Sequence, residues 1–278
     1  MASLAGIVRH LGYSIRLLGP VGGIDHILRT ALGHAARRPK SATRRLRLRD
    51  LTAPITLRPL TSDWNVAVDV FARGDYELPG ALHAARLEVH YRAILGRGET
   101  PIIVDCGANI GLSALWFAHR FPRAVIWAVE PEPDNFALLE INAAACPAIR
   151  PLRAGISDRA TRLALANASG APWAWQTTES PDGAIETVTV ADLLARIPGG
   201  APLIVKIDIE GYEVDLFRSA TDWAAAVPLV VFEDHDWLFP GRGTFQAVMR
   251  RLLDTPRDYL RRGENTWAYS HALLGDRP

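Results

Sequence analysis

The chain has 278 residues, 49% of them hydrophobic and eight of them tryptophan, which suffices for one large core and excludes a disordered polymer. Two cysteines, Cys106 and Cys146, exclude a disulfide framework and read as reduced thiols of a cytoplasmic protein, and the lack of an 18-residue apolar run excludes a transmembrane helix. The net charge of +1 conceals an asymmetry, because residues 1–50 hold ten Arg/Lys and two Asp, a head of +8 on a body of −7.

In chain order, the early Arg9 and the lack of a clean hydrophobic core argue against a secretory leader. Leu4, Ile7, Val8, Leu11, Ile15 and Leu18 recur at helical spacing as far as Gly19-Pro20, and a second helix is expected over 24–35. The basic run 36–50 completes a helical extension, residues 1–50, expected to touch an anionic membrane surface or other polyanion, or else to cover the acidic body. No nucleic-acid-binding module accompanies it, so no specific nucleic acid is expected as a partner, whereas a second copy of the chain is allowed as one. The alternation in "LRLRDLTAPITLRPLTSDW" predicts a strand pair around Ala53-Pro54. Ser62 or Asp63 is placed to cap a helix running to Arg73-Gly74, and another is expected over 87–95.

From Pro101 the pattern alternates. Strands are expected over 102–105, 125–130, 149–154, 186–190, 203–208 and 229–233, with helices over 112–121, 134–145, 192–197 and 212–220. Apolar strands spaced by helices predict an α/β fold, a mostly parallel sheet with helices on both faces. "TFQAVMRRLLD" and a hairpin through Gly263-Glu264-Asn265 follow.

"VDCGANIG" carries the first chemical signal. Asp105 ends a strand, and Gly107 and Gly111 flank a tight turn into a helix, the geometry of a nucleotide site. Ala108 and Asn109 leave the dinucleotide fingerprint without its middle glycine, which disfavours an NAD-dependent oxidoreductase. Asp105 suits a cationic or zwitterionic ligand such as the methionine portion of S-adenosylmethionine, Glu130 can accept ribose hydroxyls, and Ser157-Asp158 can bond an adenine amino group.

These runs, with "VEPEPDNFALLEIN" and "LIVKIDIEGYEVDLF", resemble the FkbM-type family of class I S-adenosylmethionine-dependent methyltransferases over residues 100–235, and the resemblance extends upstream through "LRPLTSDWNVAVDVFARGDYELP". The resemblance implies a Rossmann-like, mostly parallel seven-stranded sheet, a methyltransferase domain over 51–278, and O-methyl transfer to sugars, polysaccharides or natural products in glycan biosynthesis. By motif it implies that Asp105, Gly107, Asn109, Gly111, Glu130 and Asp158 hold the cofactor.

A second cluster should lie at the ends of two neighbouring strands, Lys206-Ile207-Asp208-Ile209-Glu210 and Glu233-Asp234-His235-Asp236. An alcohol is a weak nucleophile at neutral pH, so a base or a metal is expected. One reading has Asp208, Glu233 and Asp234 hold Mg2+. The other makes His235 a base oriented by Asp208 or Glu233, with Lys206 neutralising the acids. Lys206 is one of only two lysines in a chain whose other basic groups are arginine, which suggests that a compact ammonium is needed there. Glu213 reads as an ordinary first-turn helix acid. Trp173, Trp175 and Trp237 could stack on sugar rings or simply pack. A function from another class, a non-catalytic nucleotide-fold module with a basic head, stays open.

Overall fold

The computed structural model describes residues 4–35, 42–166, 176–219 and 222–275. Seven strands form the central sheet: β1 Thr100–Cys106, β2 Val125–Val129, β3 Ile149–Leu152, β4 Gly200–Ile207, β5 Leu229–Glu233, β6 Arg257–Arg262 and β7 Asn265–Ser270. Their spatial order is β6-β7-β5-β4-β1-β2-β3. Strands β3, β2, β1, β4 and β5 run parallel, and β7 pairs antiparallel with both β5 and β6. The central strands explain this order. TPIIVDC, GAPLIVKI and LVVFE are buried almost throughout, so neither face can meet water, and apolar layers cover both. The order reverses between β1 and β4, which opens a crevice at their carboxyl ends.

The head is tied to this body. Leu17, Leu46 and Leu48 are buried in the same core layer as Ile103 and Val231, and Arg49 N–H donates to the Leu17 carbonyl at 2.9 Å. Strand Arg44–Leu46 pairs with Ile55–Leu57, so a boundary at residue 50 falls inside a hairpin. The two expected head helices are found within Leu4–Ala35, separated at Gly19, whose φ of 76° is non-helical and breaks the chain before Pro20. Val21, Ile24, Leu28 and Leu32 stand exposed along the second. No helix among the described residues is long and apolar enough to cross a membrane.

Three local expectations change. Ser62 makes no capping bond, and the Asp63 carboxylate instead takes Arg58 through its backbone and guanidinium, while the helix Asp63–Ala67 continues as a π-turn, Val68–Arg73, closed by left-handed Gly74. Of the helix expected over 212–220 only Glu213–Leu216 forms, because Glu210 and Gly211 both take positive φ and delay it. A second sheet of four short strands, in the order Gly155–Ile156, Ile185–Val188, Arg162–Ala166 and Gln176–Glu179, occupies the stretch before β4. Trp173 and Trp175 lie outside the described residues.

Candidate active site

The parallel register sets Lys206 on β4 level with Asp105 on β1 and Val231 on β5. Lys206 is 1% exposed, and its Nζ lies 3.1 Å from Asp105, 3.2 Å from Asp208 and 2.8 Å from the Gly107 carbonyl, to which it donates. Burial would lower its pKa, but Asp105 and then Asp208 outweigh that and hold the ammonium charged, well above its ordinary value. The oddly placed lysine is therefore a clamp that ties two strand ends and a loop. The close approach requires glycine at 107: its φ is +79°, and a Cβ there would stand 1.8 Å from the Asp208 carbonyl oxygen.

His235 follows β5 and is 1% exposed. Its Nδ1 lies 2.8 Å from a carboxylate oxygen of Glu213, which is completely buried. Its backbone N–H donates to Thr244 Oγ1 at 3.2 Å, while Thr244 itself donates to Asp236 from N and Oγ1, at 2.7 and 2.8 Å. The ring is thus held at both its backbone and Nδ1, and Nε2 is directed at Asp208, Glu233 and Glu210, at 3.6, 3.8 and 3.9 Å.

These groups share protons. Burial would lower His235, but the nearby Asp208 carboxylate and the hydrogen-bonded Glu213 outweigh it and raise the ring to about 11. Burial, reinforced by the Asp208 charge, raises Glu233 to about 9 and Glu210 to about 8. Burial also acts to raise Asp208, but Lys206 overrides it and keeps that carboxylate ionised well below its usual range. Around neutral pH the cluster therefore carries an imidazolium facing one firm carboxylate and two protonated carboxyls.

Two cavities meet here. The smaller, about 70 Å³, is lined by Glu130, Asn135, Gly155, Ile156, Leu163 and Tyr212 among others. The larger, about 360 Å³, is lined by Lys206, Glu233, His235, Tyr76 and Trp237 among others. Gly107, Asn109, Asp208 and Glu210 line both. Asn109 and Glu210, at φ 50° and 53°, are the non-glycine residues that take positive φ among the described residues. Such strain persists where surrounding structure holds it, and here both strained residues stand on the shared wall.

The residues singled out from sequence fall into different places. Glu130, 6% exposed, lines the smaller cavity and accepts from the backbone N–H of Asn109 at 2.8 Å and of Glu132 at 3.0 Å; burial raises its carboxyl to about 7. Asn109 keeps its Oδ1 without a partner. Ala108 lines the larger cavity. Asp105 does not line either: its carboxylate is taken by Lys206 and by Ser113 Oγ at 2.6 Å. Gly111 packs against Leu139, whose Cδ1 would lie 2.6 Å from an added Cβ. Ser157 and Asp158 stand behind the cavity wall, where Asp158 takes Arg159 at 2.9 Å and Ser219 Oγ at 2.5 Å, and the neighbouring Ala154, Gly155 and Ile156 line the space instead.

The expected magnesium set is corrected. Asp234 pairs with Arg261 on the hairpin, and the groups that converge within 4.8 Å are Asp208, Glu233 and His235. Exchanging a carboxylate for an imidazole removes the all-oxygen donor set that magnesium prefers, so these residues do not fit that ion. The orienting acid is corrected too: it is Glu213 rather than Asp208 or Glu233. The sequence signal for it was its position three residues past Glu210, in a motif whose glycine bends the chain back towards β5.

Comparison with known proteins agrees with this architecture. The methyltransferase FkbM domain matches residues 105–262. Among curated proteins, hexuronic acid methyltransferase AglP of Haloferax volcanii is 29% identical over 172 residues, 60% of this chain and 69% of that protein. Methyltransferase sdnD of Sordaria araneosa is 38% identical over 79 residues, 27% of this chain and 30% of that protein. The chain thus spans about two thirds of the first relative and under a third of the second. A solved precorrin-6y C5,15-methyltransferase from Geobacter metallireducens superimposes with a TM-score of 0.35 at 11% identity, over 68% of this chain and 87% of that one. With more than half its length inside the matched domain and a seven-stranded class I sheet to carry it, this chain belongs to the FkbM methyltransferase family.

Proposed function

We propose that the protein is an S-adenosylmethionine-dependent O-methyltransferase acting on a hydroxyl of a sugar or glycosylated acceptor. The observation that carries the reading is His235, locked through Nδ1 on buried Glu213 and presenting Nε2 where the two cavities meet. Glu130 and the unpartnered Asn109 Oδ1 fit a polar, hydroxyl-bearing cofactor in the smaller cavity, with the Ile156, Leu163 and Tyr212 side chains available to an aromatic base. When bound, S-adenosylmethionine supplies an electrophilic methyl group. The chain's own part is to orient the acceptor oxygen, exclude water and take its proton. The acceptor hydroxyl sits against Nε2 of His235, and Asp208, fixed by Lys206, orients it from the other side. His235 acts as base only once its own ring has lost the Nε2 proton; it then takes the hydroxyl proton, and the Glu213 carboxylate stabilises the imidazolium that results. The hexuronic acid acceptor in the name of the Haloferax relative supports a sugar.

The test is methyl transfer from labelled S-adenosylmethionine to a panel of glycosides. His235→Gln is expected to lower turnover by about 10²–10⁴-fold while S-adenosylmethionine still binds. Because His235 Nε2 serves as the base in this reading, turnover after EDTA treatment is expected to equal that before it, and rescue by an added divalent metal would overturn the metal-free reading.

A further inference from the structure

Three acids outside the His235 cluster line the larger cavity: Asp69 on the π-turn, Asp75 just beyond it, and Glu264 at the turn of the β6–β7 hairpin. Asp69 is paired with Arg73 at 2.7 Å, but Asp75 and Glu264 have no ion pair among the described residues. Burial and then the like charge of Asp69 raise the Asp75 carboxyl to about 6; Glu264 adds to the effect, and Arg73 and Arg262 only partly offset it. Asn265, 5% exposed, lines the same cavity with its Oδ1 unpartnered. Trp237, 64% exposed, supplies an aromatic ring to the lining.

The cations of the cavity do not answer these acids. Lys206 is satisfied by Asp105, Asp208 and the Gly107 carbonyl, and His235 by Glu213. What remains is a surplus of acceptors in a lining that also holds an aromatic ring. A primary ammonium has three donors and no acceptor, and it gains further on an aromatic ring. A carboxylate brought beside Asp75 and Glu264 would meet like charge there, while the lining's cations, Lys206 and His235, are already paired.

We propose that Asp75, Glu264, Asn265 and Trp237 select an acceptor that carries a protonated primary amine beside the hydroxyl to be methylated, an amino sugar or amine-bearing glycoside. This rests on the sugar O-methylation reading above. It also sets the protein apart from its Haloferax relative, whose name specifies a hexuronic acid.

The experiment compares kcat/KM for four acceptors that differ at one group: methyl glucosaminide, methyl N-acetylglucosaminide, methyl glucoside and methyl glucuronide. The glucosaminide is expected to lead the other three by at least about tenfold. Asp75→Asn combined with Glu264→Gln is expected to raise the KM for glucosaminide about tenfold and to change the Kd of S-adenosylmethionine by less than about twofold. Glu264→Gln alone, at an exposed hairpin turn, gives the same direction if the double variant folds poorly. Equal or better transfer to glucoside or glucuronide overturns amine selection and leaves sugar methylation standing. A double variant that weakens S-adenosylmethionine binding and spares the glucosaminide KM also overturns it, assigning the acids to the cofactor's own ammonium. Failure to methylate any of the four overturns both readings.

Discussion

Glu213 shows how one residue's role turns on geometry that spacing does not reveal. As a string, it is an acid in the first turn of a short helix. In the fold it is wholly buried against His235 Nδ1. Replacing it by Gln keeps a hydrogen-bond acceptor but removes the charge that helps raise the imidazole. A hydrogen bond to a charged group contributes about 1.5–3 kcal/mol, so Glu213→Gln is expected to shift the ascending limb of the pH–rate profile to lower pH by about one to two units. An unchanged profile would reduce Glu213 to a packing residue. The free enzyme's shared protons set the starting form. His235, raised to about 11, is protonated near neutrality, so kcat/KM is expected to rise with pH from 7 up to about 11 as the ring becomes free to act as base. Lys206 makes the opposite point, since its burial in a strand was legible from the apolar run around it. Lys206→Met leaves Asp105 and Asp208 facing each other without a cation, and is expected to cost about 3–5 kcal/mol in denaturant unfolding.

At the scale of elements, the parallel core was legible because β1, β4 and β5 are apolar on both faces and are spaced by helices. The small sheet over 155–188 was read only as the single strand 186–190, because its strands are two to five residues long and lack an apolar face of their own. Its packing depends on Leu163 and Ile185 meeting Tyr212, a contact between segments distant in sequence. The same limit applies at the site. The motif placed Asp105 at a strand end, but only the register showed that Lys206 occupies its carboxylate. Asp234 and His235 are adjacent in the loop after β5, where strand alternation no longer says which one faces the site. Arg261 on the hairpin decides it by taking Asp234. The loop after β1 tolerates no side chain at 107. Gly107→Ala is expected to lower the melting temperature and abolish turnover together, because the Cβ would strike the Asp208 carbonyl that both cavities share.

For the whole molecule, the site is also a term in stability. Glu210, Glu233 and His235 all hold protons in the folded state at pH values where the unfolded chain has released them. Their contribution is therefore complete below the ordinary values of these groups and is lost as pH rises through about 8, 9 and 11. Melting temperature is expected to fall steadily from pH 7 to pH 10, and less steeply in Glu233→Gln, which has no proton to lose. The clamp at Lys206 has a consequence during assembly as well. Strands β1 and β4 come from positions about a hundred residues apart and could pair in several apolar alignments. A slip of one residue would turn the lysine to the opposite face of the sheet and strand its charge in hydrocarbon, while leaving Asp105 without its counterion. The ion pair thus serves as a parity check on strand alignment: only a sheet assembled in the correct register can close over it.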